Sequence, residues 1–200
     1  MIKTFSIVIL LTTLFNFGSF AEEIQAFNFT KEEFDNLTVR KIKKKTKYTL
    51  GSNENGNFLK AEAEGQASGL GKEILIDLNK TPFLNITWKV EKDLSGIDEK
   101  SKKGHDYAAR VFVIKKTGST ALSNRAINYV FSSNEEIGQY WRSPFTKKSI
   151  DYVLATTKTN NNEWVTVKTN VKEDFKKLND LDVNELNVVA IMTDTDMSLI

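Results

Sequence analysis

The 200-residue sequence predicts an all-β domain, a sandwich or a barrel, with one or two short helices. Three observations carry that expectation. Short runs rich in β-branched and aromatic residues recur along the chain. Loops of Gly, Asn, Ser and Lys separate them at fairly regular intervals. Clear helical signals are confined to two brief stretches.

Taken in order, the chain opens with a segment of a different kind. Residues 1–21 read as a cleavable signal peptide. Lys3 supplies the positive start, and the run from Phe5 to Phe17 is apolar but shorter than the roughly 20 residues of a membrane span. Ser19-Phe20-Ala21 then presents small residues just before Glu22-Glu23. The expected location is therefore the periplasm or the outside of the cell. Residues 22–200 are expected to form one domain, with no later segment apolar enough to span a bilayer.

Thr30 caps a short helical turn over Lys31–Asn36. The cations Arg40, Lys41, Lys43, Lys44, Lys45 and Lys47 read as a solvated edge strand whose charges discourage edge-to-edge pairing. The alternative is a patch for anionic glycan or phospholipid head groups. Lys47–Leu50 and Phe58–Glu64 flank a polar hairpin loop, Gly51 to Gly56. Further strands are expected over Ala67–Asp77, Phe83–Val90, Tyr107–Ile114, Ala126–Phe131, Ile150–Thr156, Trp164–Thr169 and Leu186–Asp194. Phe83–Val90 alternates cleanly, with Leu84, Ile86, Trp88 and Val90 on one face. That pattern assigns Trp88 to the core. Leu186–Asp194 is apolar on both faces, so it is central or roofed. Asn170 caps the one well-marked helix, Val171–Leu178, with acids in its first turn and lysines near its end.

Composition excludes several chemistries. With no cysteine, the chain has no disulfide, no thiol nucleophile and no cysteinyl metal site. His105 is the sole histidine, which rules out a histidine-cluster metal centre, and no Gly-x-Ser-x-Gly elbow accompanies it. It is expected in an exposed loop after Lys103-Gly104. A net charge of +2 gives no long-range field of the kind that recruits nucleic acid. Nothing in the sequence specifies an oligomeric state.

Arg110 stands in the middle of a strand with Tyr107, Ala109, Val111 and Val113 on one face and Asp106, Ala108, Arg110 and Phe112 on the other. A charge there must be paired or must face a polar groove. Asp194 and Asp196, with Asp106, suit a hard cation such as Ca²⁺, or else an ion pair with Arg110. Asp106 and Asp194 are also the candidates for a glycosidase carboxylate pair. Trp141, in the Tyr140-Trp141-Arg142 stretch expected to be irregular, is the aromatic best placed to stack on a sugar ring.

Several segments occur together in a distinctive order. They are Ala61-Glu-Ala with Ala67-Ser-Gly-Leu70, Thr81-Pro-x-Leu84 with Trp88, Asp106-Tyr-Ala-Ala-Arg-Val-Phe-Val113, Ile127-Asn-Tyr-Val130, Ser143-Pro-Phe-Thr146 and Ala190-Ile-Met-Thr-Asp-Thr-Asp196. In that order and spacing the chain resembles a bacterial family catalogued as domain of unknown function 3047, from about Phe27 to Asp196. The resemblance implies an exported jelly-roll or galactose-binding-like β-sandwich, and it supplies no catalytic residues. Two departures stand out. His105 replaces a residue that is usually acidic, and the chain stops at Met197–Ile200, short of a closing strand, as a truncated product would.

The expected function is therefore a non-catalytic carbohydrate-binding or envelope-associated module. Its ligand site is drawn from Asp106, Arg110, Asn128, Trp141 and Asp194, with Asp194 and Asp196 as possible Ca²⁺ ligands and a glycan as the expected partner. The alternatives are a polysaccharide-acting enzyme using a carboxylate pair, and a structural or assembly protein of the envelope.

Overall fold

The structure, a computed structural model, describes residues 23–197. The expected signal peptide and the expected short C-terminal end lie outside that range or at its limit. The elements are α1 (Lys31–Asn36), β1 (Thr38–Lys43), β2 (Lys47–Asn53), β3 (Gly56–Glu62), β4 (Ala67–Asp77), β5 (Phe83–Trp88), β6 (Tyr107–Lys115), β7 (Arg125–Ser132), β8 (Tyr140–Arg142), β9 (Ser149–Thr156), β10 (Val165–Asn170), α2 (Val171–Asn179) and β11 (Glu185–Asp194). The architecture is an all-β sandwich with two short helices.

Its main layer is a seven-stranded sheet in the order β1-β4-β11-β6-β7-β9-β8. Neighbours run antiparallel except β7 and β9, which are parallel. The second layer is the β5–β10 ribbon, with α2 continuing directly from β10. The β2–β3 hairpin stands apart as a third sheet and touches the ribbon edge-to-face, Phe58 on Trp164 at 5.6 Å.

The core lies between the main sheet and the ribbon with α2. Ile127, Tyr129 and Phe131 of β7, Val113 of β6, Val189 of β11 and Ile76 of β4 meet Ile86 and Trp88 of β5 and Val171, Phe175 and Leu178 of α2. Trp88 meets Phe131 edge-to-face at 5.5 Å, as its alternating strand requires. The helix forms where its signals stand. The Asn170 side chain accepts from the Glu173 N–H at 3.2 Å, and Asp180 ends α2 in the left-handed region at φ 51°.

β1 is the outer strand at one side of the sheet, and all six of its residues are exposed, which is the solvated basic edge the sequence predicts. β11 is internal, flanked by β4 and β6. Two expectations need correction. Tyr140–Arg142 is a regular short strand on the far edge, paired with β9. Tyr107 does not share a face with Val111 and Val113. From Met192 to Asp194 is two steps on β11, whereas the paired stretch from Arg110 to Tyr107 is three steps on β6. That bulge turns Tyr107 onto Arg110's side, where it packs with Val130 and Val153.

Candidate functional site

The face of the main sheet opposite the ribbon carries the polar residues, and strand register sets their grouping. One row across the sheet runs Phe112, Asn128, Asp151, Trp141. The adjacent row runs Met192, Arg110, Val130, Val153. Four of the five residues expected to bind ligand, Asp106, Arg110, Asn128 and Asp194, are buried together on this side, and Trp141 lies half-buried on the edge strand beside them.

Arg110 is the hub. Its Nη2 donates to Asp194 Oδ2 and lies 3.5 Å from the Met192 sulfur. Its Nη1 lies 3.5 Å from His105 Nδ1. The guanidinium sits against the Tyr107 and Phe112 rings, with Cζ 5.2 and 5.3 Å from their centroids. Arg110 offers only donors, so His105 Nδ1 is the acceptor of that contact, and its Nε2 carries the proton. Nε2 then donates to Asp151 Oδ2 at 2.8 Å, while Asn128 Nδ2 donates to Asp151 Oδ1 at 2.7 Å. The result is a continuous chain from Asp194 through Arg110 and His105 to Asp151 and Asn128.

His105 is therefore not the exposed loop residue that the sequence predicts. It is buried, 5% exposed, and Phe145 meets it edge-on at 5.3 Å. The physical reason is that the loop before β6 folds across the polar face, where Arg110 and Asp151 provide partners for both ring nitrogens.

Asp194 also accepts the Tyr107 backbone N–H at 3.1 Å. Burial pushes its carboxyl up to about 6, against the pull of Arg110 and with a further push from the neighbouring Asp106. Asp106 accepts the Met197 N–H at 2.9 Å. Carboxylate oxygens of Asp106, Asp194 and Asp196 lie within 4.8 Å of one another, which is a spacing that a cation bridging three oxygens requires. Asp106 and Asp194 are both buried.

Two more acids are built into the fold. Glu99, in the loop that roofs the polar face, accepts from Ser132 Oγ at 2.6 Å, from the Ser133 and Asn134 N–H groups, and from Asn134 Nδ2. Asp174, on α2, accepts from Tyr129 Oη at 2.8 Å and Thr169 Oγ1 at 2.6 Å. Sequence reasoning missed Asp151, Glu99 and Asp174. Asp151 was findable, since an acid inside an otherwise apolar strand poses the same question as Arg110. Asp174 falls on the helix stripe of Val171, Phe175 and Leu178, which also marks it. Glu99 lies in a charged loop run with no distinguishing signal.

The surface beside this network is aromatic. Phe145 is 58% exposed on this side, whereas Tyr140 shares a row with Tyr129 and Tyr152 and so lies on the ribbon side of the sheet. Trp141 packs on Val130 and Val153, with Lys100 Nζ 5.2 Å from its ring centroid. Shallow clefts elsewhere, beside Leu75 and Lys116 and beside Phe29 and Leu50, do not reach these residues.

No curated protein is similar enough to the chain to count as a match. Residues 32–199 match the family described as protein of unknown function (DUF3047), so the chain belongs to that family.

Proposed function

We propose that this family member is an exported, non-catalytic binding module of the periplasm or the cell exterior that takes a glycan at the rim formed by Trp141 and Phe145. The observation that carries this reading is the contrast between the two parts of the site. The buried acids are occupied: Asp194 by Arg110, Asp151 by His105 and Asn128, Glu99 by Ser132 and the Ser133–Asn134 backbone. A general acid or base must reach substrate, and these carboxylates are turned inward. Half-buried Trp141 and exposed Phe145 beside them are flat, apolar surfaces that match the C–H face of a pyranose, and Phe145 joins the network through His105. Arg110, Asn128 and Asp151 then hold the loops that present the rim. A Ca²⁺ ion held by Asp106, Asp194 and Asp196 completes the proposal by tying the end of β11 to the start of β6.

Thermal melting against a glycan panel, with and without Ca²⁺, tests this. A ligand at 100 times its Kd stabilises the native state by about 2.7 kcal/mol. One sugar class should raise Tm, and Phe145→Ala and Trp141→Ala should abolish that rise. Asp196→Asn should abolish a Ca²⁺ shift. The absence of any glycan shift defeats the binding reading in favour of a structural one. Polysaccharide turnover that Asp106→Asn removes would establish the enzyme alternative.

A further inference from the structure

The sheet's other outer strand is chemically unlike β8. We infer that the β1 edge is a docking surface for the anionic face of a lipid bilayer.

Six cations fall between Arg40 and Lys47, and residues 38–47 contain no acid. Lys47 is paired with Glu62 at 2.9 Å, and Lys43 Nζ donates to the Asp196 carbonyl at 2.7 Å. Arg40, Lys41, Lys44 and Lys45 have no carboxylate partner among the described residues. Elsewhere Lys72, Lys100, Lys115, Lys116 and Lys158 each meet an acid within 2.8 Å. Other unpaired lysines occur along the chain, but residues 38–47 hold six cations with no intervening acid, so positive charge is dense at this edge.

The same strand exposes two branched aliphatic side chains, Val39 at 46% and Ile42 at 59%. Ile42 is the extra residue of a bulge: Lys41 pairs with Ser68 and Lys43 with Ala67, which leaves Ile42 opposite no residue of β4. It gives the core nothing. The segment is also held firmly. Thr46 is buried, its N–H donating to Ser68 Oγ at 2.9 Å and its hydroxyl to the Thr193 carbonyl at 3.0 Å. The chain turns into that anchor through Lys44 in the left-handed region, φ 54°. A fixed basic edge loses little conformational freedom when it docks.

Charge and aliphatic exposure together select the occupant. Edge lysines oppose addition of another strand. A soluble polyanion would use the cations and leave Val39 and Ile42 in water. A bilayer uses both, with head groups on the cations and the aliphatic side chains in the interfacial layer. Each cation near an anionic surface multiplies binding roughly fivefold, so four uncompensated ones amount to several hundred-fold.

Cosedimentation of the full chain with phosphatidylcholine vesicles, and with phosphatidylcholine–phosphatidylglycerol vesicles, tests the inference. The readout is the excess on the anionic vesicles, which cancels any contribution of the apolar run at residues 5–17 that is common to both kinds. The expected excess falls steeply with added salt, drops on the order of a hundredfold when Arg40, Lys41, Lys44 and Lys45 are all changed to Gln, and drops about tenfold in Ile42→Ser. Equal binding to both vesicles, or an excess that survives the quadruple change, overturns the inference. So does soluble polyphosphate bound as tightly as vesicles with no effect of Ile42→Ser, which would assign the edge to a dissolved polyanion. Should the quadruple variant fail to fold, the salt series on the parent decides: an excess indifferent to salt overturns the inference.

Discussion

The two faces of the main sheet hold the protein together by opposite means. On one, Ile127, Tyr129 and Phe131 of β7 press against Trp88 and Phe175. On the other, Asn128 of the same strand joins Asp151, His105, Arg110 and Asp194 in a line of hydrogen bonds. The first face needs only apolar volume, and burial is non-directional. The second needs every partner present, because a buried charge without its counterion is costly. One strand therefore serves a tolerant face and an intolerant one, and substitutions should separate them.

The largest effects come from breaking each face at its centre. Phe131→Ala opens a cavity beneath Trp88 and should cost about 3–5 kcal/mol in urea unfolding. Arg110→Ala strands Asp194 and should cost a similar 3–5 kcal/mol. The faces then differ in rescue. Arg110→Met combined with Asp194→Leu removes both charges and should regain most of the loss, so a double-mutant cycle should show strong coupling. No second substitution across the sheet should restore Phe131→Ala in this way. Additivity of the two charge changes would break the comparison.

Next in size is a pH effect confined to the polar face. An unfolded aspartate titrates near 3.9, whereas Asp194 in the fold titrates at about 6, raised chiefly by burial. The native state thus holds this proton more tightly than the unfolded one. The stabilisation is fully present below about pH 4 and is lost as pH rises through 6. Glu33 and Glu185 are shifted downward, so their contribution is lost only as pH falls below the ordinary glutamate range. Between pH 4.5 and 6.5 Asp194 should therefore lower Tm as pH rises, and Asp194→Asn should flatten that slope.

Smaller effects sharpen the contrast on the apolar face, where Asp174 accepts two hydrogen bonds. Tyr129→Phe removes the hydroxyl that Asp174 accepts and should cost about 1–2 kcal/mol, since Thr169 still donates to that carboxylate. Asn170→Ala removes the α2 cap and should cost about 1 kcal/mol. Both are read by the same urea titration as Phe131→Ala.

Much of the architecture was legible because its determinants are local. Leu84, Ile86 and Trp88 alternate, and β5 follows; Asn170, Glu173 and Asp174 mark the start of α2, and the helix begins there. Arg110 announced a polar partner by its position alone, and Asp194 was among the acids expected for it. Tyr107 failed the same reasoning, because strict alternation assumes no bulge, and the bulge arises from pairing with β11. His105 failed it because Lys103-Gly104 reads as a solvated loop until Asp151, 46 residues away, is brought beside it.

By itself the sequence determined every strand but β8, the caps, the basic edge and the need for a counterion near Arg110. Each of these depends on neighbours a few residues apart, within the 2-residue and 3.6-residue periods of the backbone. Tertiary structure alone decided the strand order, the β6 bulge, the burial of His105, and the alignment of Asn128, Asp151 and Trp141 in one row. Those follow from hydrogen-bond register between distant segments, where a shift of one residue sends every side chain to the other face.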